Sequence, residues 1–280
     1  MTMRSATLLL AVIIALGATA AALWTRGTAP TPPDVPEAAS DDAPPPIPPI
    51  PPRIAEGNDY ETCLTMVGSD PDGAAQFAEA WAARQGGPAA THCLGLATAA
   101  QGEPAKGAGI LEALAQAPSS TELARATIYA QAAQARMVAD EPDIAIADDT
   151  KALALTPDDV DTLLDRAIAA IVLEHFQDAI DDLTQALDLD KLRPDAWRLR
   201  ATAWRGLERW ELAADDIARS LSLDPDQPDA LLERGILRQH ARDLRGARAD
   251  WQRVMQLAPD SPSADLAEQD LELLDAGPSR

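Results

Sequence analysis

Aromatic side chains are scarce in this chain: six Trp, two Tyr and two Phe, 4% of 280 residues. A core built with so few rings must rest on small aliphatic groups, chiefly Ala and Leu. Those residues lead the helix scale, whereas strands enrich β-branched and aromatic ones. With two Cys and three His there is no material for a zinc cluster, and no two His stand four apart as helical ligands do, so no metal is expected. Lysine occurs only at Lys106, Lys151 and Lys191; nearly all the positive charge is arginine, a residue of planar, geometry-specific pairing. Basic residues are outnumbered, 23 against 45 acidic, and the resulting −22 repels phosphate backbones, which argues against a nucleic-acid partner. No nucleophile elbow, Gly-rich phosphate loop or isolated carboxylate pair stands out. Neither catalytic residues nor a cofactor are therefore expected.

The negative charge sits at the front. Residues 27–192 hold 28 acidic and eight basic groups, a net −20, while residues 193–253 hold 12 basic and 11 acidic groups and are locally neutral and Arg-dense. Ahead of this, Ala6 to Trp24 is a continuous apolar run preceded by Arg4 and followed by A-x-A sites at residues 18–22, the pattern of an export signal. The run is also long enough for a tilted bilayer span ending at Trp24 and Arg26. Residues 1–26 thus read as a cleaved signal peptide or an N-terminal anchor, and both place the protein outside the cytoplasm. The expected location is a bacterial periplasm, soluble or tethered to the inner membrane by residues 6–24. Residues 27–57 are Pro-rich and acidic; Pro lacks the amide donor and fixes φ, so this stretch is expected to be a disordered, extended spacer of roughly 70 Å at about 3.1 Å per residue.

Self-comparison finds a period of 34. Ala145, Ala179, Ala213 and Ala247 keep it, as do Asp148, Asp182, Asp216 and Asp250, and Arg166, Arg200 and Arg234; Pro157, Pro225 and Pro259 share the frame. With Trp197, Ala201, Trp204, Trp210, Ala213, Ile217, Leu221 and Pro225 in their places, the chain resembles the tetratricopeptide repeat family. The resemblance implies an all-α fold, a right-handed solenoid of antiparallel helix hairpins in 34-residue repeats with a C-terminal capping helix. Repeats are expected over 123–260, at about 127–159, 160–193, 194–227 and 228–261. Divergent helical hairpins are expected over 58–122, and a capping helix and tail over 262–280, with Leu266, Leu271 and Leu274 on one stripe. In the first repeat Pro142 replaces the usual aromatic and Asp149 a core apolar residue.

In an antiparallel hairpin, positions of equal number sum face each other, which predicts an ion-pair ladder of Arg166 with Asp182, Arg200 with Asp216 and Arg234 with Asp250. Cys63 and Cys93 read as a structural disulfide between the first and third helices, since a redox dithiol favours C-x-x-C spacing. The three His read as lone surface or groove residues. In the family, ligands are extended peptides lying on the concave surface of the first helices. The matching positions here are Ala130 and Gln134, Leu164 and Ile168, Arg198 and Thr202, Leu232 and Ile236, which describe an apolar groove with a basic edge from Arg198 and Arg205, joined by Gln239 and His240. The partner so implied is a protein or peptide of unstated identity, bound by a non-enzymatic interaction scaffold of the cell envelope. A second reading has the acidic N-terminal half, with Glu37, Asp41 and Asp42, dock on the Arg-rich repeats and regulate access.

Overall fold

The computed structural model describes residues 54–117 and 120–276. The apolar segment 6–24, most of the Pro-rich spacer and the tail from 277 lie outside them. Among the described residues there are thirteen α-helices and no strand. They are α1 (Asn58–Ser69), α2 (Pro71–Ala82), α3 (Gly87–Ala100), α4 (Pro104–Ala115), α5 (Glu122–Val138), α6 (Pro142–Leu155), α7 (Val160–Val172), α8 (Phe176–Leu189), α9 (Pro194–Gly206), α10 (Trp210–Leu223), α11 (Pro228–His240), α12 (Leu244–Leu257) and α13 (Pro262–Ala276). Consecutive helices pack as hairpins, and each hairpin stacks on the next.

Local chemistry sets the helix ends. Proline opens α9, α11 and α13 at positions 34 apart, where its missing N–H is no loss. Asp70, Thr121, Asp159 and Asp243 cap helix starts by accepting the backbone N–H three residues on. Within each of the four repeated hairpins the first helix ends at a residue of positive φ: Asp140, Glu174, Glu208 and Arg242, with φ of 61°, 60°, 58° and 66°. The next residue's N–H then reaches back to a carbonyl five positions earlier, Glu141 to Arg136, His175 to Ala170, Arg209 to Trp204 and Asp243 to Arg238, at 2.8–2.9 Å. This left-handed cap recurs every 34 residues with no glycine to announce it.

Ala145, Ala179, Ala213 and Ala247 are fully buried, as close approach of paired helices requires. The slot four residues later holds Leu183, Ile217 and Trp251 in three of the hairpins, all buried. Trp251 fits only because residue 235 is Gly, at which a Cβ would overlap the indole. In the remaining hairpin that slot holds Asp149, and the apolar cluster there shrinks to Ala133, Met137, Ala145 and Ala169.

Two details depart from expectation. Helix α5 starts at Glu122, ahead of residue 127, because the Thr121 hydroxyl accepts the Ala124 N–H and sets the first turn there. In α13 the buried face is Ala264 and Ala267 with Leu271 and Leu274 partly buried against the core, while Leu266 is exposed. Position 264 continues the buried series Ala196 and Ala230 at the same spacing, so α13 takes the register of a further first helix.

Candidate functional site

The ladder geometry is explicit. Arg166 donates to both Asp182 oxygens at 2.8 and 2.6 Å, Arg200 to both Asp216 oxygens at 2.8 and 2.9 Å, and Arg234 to both Asp250 oxygens at 3.0 and 2.6 Å. Each pair joins the two helices of one hairpin. Arg166 and Arg200 also reach the preceding hairpin, donating to Thr150 and Thr184 Oγ1 at 3.3 and 3.2 Å, and Asp250 takes a second guanidinium, Arg238, at 2.7 Å. The carboxylates are nearly buried, so each fork offsets a desolvation cost as well as adding specificity.

In the first repeat the corresponding arginine position is Ala132, fully buried. Asp148, also fully buried, is therefore left to Lys151 Nζ at 2.7 Å, with one oxygen unpartnered. Burial raises its carboxyl to about 6, with neighbouring Glu112 adding to the shift and Lys151 opposing it. Asp149, 1% exposed and with Oδ1 unpartnered, is pushed up to about 9 by burial and by the charge of Asp165. Asp165 itself, partly exposed on α7, is raised to about 6 by burial, and its Oδ2 accepts from Gln134 Nε2 at 2.8 Å. The sequence signal for this cluster is Asp149 in an apolar slot; its neighbours are invisible until helices are stacked.

The groove residues fall into two groups. Leu164 and Leu232, expected on an open apolar floor, are 5% and 8% exposed, because stacking buries them in the cores of their own and adjoining hairpins. Ile168 and Ile236 are partly buried in the same way, as is Ala130. Accessible polar surface comes from Gln134, Arg198, Thr202, Arg205 and Gln239. The expected basic edge is largely neutralised: Arg205 and Thr202 both hydrogen-bond Glu233, a 6% exposed carboxylate. Arg198 keeps a buried Nε without a partner. His240 does not line a groove as a free ring; it stacks on Trp210 at 3.6 Å and 11°.

At the amino-terminal end Cys63 and Cys93 are bonded, joining α1 to α3, with no free cysteine among the described residues. Closing a 30-residue separation stabilises by about 3–4 kcal/mol on the chain-entropy model. Beside it His92, expected at a surface or groove, is fully buried. Its Nδ1 meets the Tyr60 hydroxyl at 2.8 Å and its Nε2 meets Gln131 Oε1 at 2.5 Å, so α1, α3 and α5 share one polar chain; burial lowers its pKa. A neutral imidazole with both nitrogens satisfied is a structural strut. Among the described residues no group of three or more His, Cys, Asp or Glu is placed to hold a metal ion, and no helix is long and apolar enough to cross a membrane.

The geometry has known counterparts. A tetratricopeptide repeat family model matches residues 199–272. No curated protein sequence matches. Similar solved structures include a chain of the APC/C hetero-tetramer Cut9–Hcn1, with a TM-score of 0.59, 16% identity, and 76% of this chain and 42% of that one covered. YrrB, described as a TPR protein with an unusual peptide-binding site, has a TM-score of 0.52 and 17% identity, covering 70% of this chain and 97% of its own. MamA has a TM-score of 0.51 and 14% identity over 64% of this chain and 98% of its own. At these identities the likeness is one of fold.

Proposed function

Starting from the fact that the chain is a tetratricopeptide repeat protein, we propose that it is a non-enzymatic scaffold of the bacterial cell envelope which binds a peptide or protein segment along the first helices of its repeats. The observation that carries this reading is the set of accessible polar side chains on three of the four first helices, Gln134 on α5, Arg198, Thr202 and Arg205 on α9, and Gln239 on α11. Such a set suits hydrogen bonding to an extended backbone more than capture of apolar side chains, since Leu164 and Leu232 are already covered. Support for the envelope comes from the apolar run at 6–24 and from the bonded Cys63–Cys93 pair, a bond that persists in oxidising compartments.

Site-specific photo-crosslinking in the native host tests it. A crosslinker at Thr202 is expected to trap a protein adduct that Arg198→Ala weakens, while one at exposed Arg219 on the second helix α10 traps none. Equal adducts at both positions would sink the groove. The amino-terminal sequence of the mature protein distinguishes cleavage from anchoring.

A second reading is favoured by Arg209, Arg242 and Arg245, which make no ion pair among the described residues. These suit the acidic arm around Glu37, Asp41 and Asp42. A chain beginning at Ala55 is then expected to bind the trapped partner more tightly than the full chain, and unchanged affinity counts against the arm.

A further inference from the structure

We propose that the junction of α5, α6 and α7 is a subsite for one cationic side chain, the guanidinium of arginine or the ammonium of lysine, on the segment that the groove holds; this rests on the groove reading above.

The second helix of each repeat carries one residue wedged between its own first helix and the next. In three repeats it is Leu183, Ile217 or Trp251; in the first it is Asp149, as buried as they are, with Oδ1 unpartnered. A buried acceptor left without a donor is costly to the fold, and natural cores rarely keep one without use. After burial itself, Asp165 is the strongest influence on Asp149, and Asp165 is partly exposed on the groove helix α7. Two carboxyls on neighbouring helices thus feel each other's charge, one in the core and one partly exposed.

The cations already nearby are committed. Arg166 forks onto Asp182, and Arg193 is divided between Asp161 and Asp195. The one hydrogen bond that Asp165 receives from a side chain comes from the neutral amide of exposed Gln134, which an incoming ligand displaces at small cost. No group of three or more potential metal ligands occurs among the described residues, so two carboxyls suit an organic cation better than a metal ion. A guanidinium or ammonium reaching past Gln134 meets Asp165 first and supplies the donor that Asp149 Oδ1 lacks.

The charges felt at Asp149 are Asp165 and Arg166 on α7, Asp148 on its own helix and Asp182 on α8. With burial and three of these four disfavouring ionisation, Asp149 is a neutral acid at pH 7 in the free protein. A bound cation reverses the balance: Asp149 loses its proton to solvent as the ligand enters, and affinity rises with pH.

Titration of the isotope-labelled full chain with N-acetyl-argininamide, followed by backbone amide resonances, tests the subsite, with N-acetyl-norleucinamide as the uncharged probe. Saturable shifts are expected at Gln134, Asp149 and Asp165 with the argininamide alone, with several-fold tighter binding at pH 8 than at pH 6. Asp149→Leu, which installs the residue of the equivalent slot at 183, and Asp165→Asn are each expected to weaken binding at least tenfold. Unsaturable shifts spread over the acidic surface, or unchanged binding in Asp149→Leu, would overturn the subsite. Loss of argininamide binding with the Thr202 crosslink intact removes the subsite and leaves the groove; retention of binding without the crosslink does the reverse.

Discussion

The hairpin α5–α6 and the three helix pairs after it share one backbone plan and differ in how they treat buried charge. In α7–α12 every buried ladder carboxylate meets a two-pronged arginine, so both its oxygens are held by hydrogen bonds. In α5–α6 the arginine is replaced by Ala132 and the wedge residue by Asp149; Asp148 then leans on Lys151 with its carboxyl raised to about 6, and burial pushes Asp149 up to about 9. Towards the amino terminus the polar ties are also neutral ones, Tyr60 to His92 to Gln131 beside the Cys63–Cys93 bond. A repeat fold therefore tolerates two solutions at one position, because each hairpin contacts only its neighbours and its interior adjusts locally.

That contrast is open to attack at several points. The largest effect is expected from Arg200→Ala, which strands Asp216 beneath the α9–α10 pair and costs about 3–5 kcal/mol; an unchanged urea midpoint would show the ladder to be decoration. Next in size, Asp149→Leu exchanges an unpaired acid for the side chain its siblings carry and is expected to stabilise by about 1–3 kcal/mol. The pH dependence should change with it. A carboxyl raised from 3.8 to about 9 on folding contributes stability that is complete below 3.8 and disappears as pH rises through 9, so the loss between pH 6 and 9 should flatten in the variant.

His92 works in the opposite direction. Its pKa is lowered on folding, so its contribution is complete above 6.5 and declines as pH falls through the folded value. In the Asp149→Leu background, the protection factors of amides in α1 and α3 should fall between pH 7 and 5, whereas those in α9 and α10 should hold steady. The smallest effect is expected at the left-handed caps: Glu208→Gly relieves a positive φ and should stabilise by about 0.5–1 kcal/mol, read from the thermal midpoint. A loss of stability there would mean that the Glu208 side chain does more than occupy a strained turn.

Much of the architecture was legible because it is written locally and repeatedly. A 34-residue period in Ala, Asp and Arg marks helices, their pairing and the ladder positions, and one hairpin's chemistry does not depend on distant parts of the chain. The candidate groove was less legible. Leu164 and Leu232 occupy the expected register on their helices, yet the stacking of adjacent hairpins covers them. Arg205 looks basic in sequence and is neutralised by Glu233, a residue 28 positions away that meets it only across the stack. His92 reads as a lone histidine until Tyr60 and Gln131, 32 and 39 residues distant, close around it.

By itself the sequence determined the helical repeat, the pairing partners of Arg166, Arg200 and Arg234, and the acidic front against the Arg-rich back, because periodicity and charge are properties of the chain. Only tertiary structure decided which carboxyls burial raises and which of the candidate groove positions stay accessible. Both depend on desolvation, and desolvation is set by what the neighbouring hairpin places against a side chain.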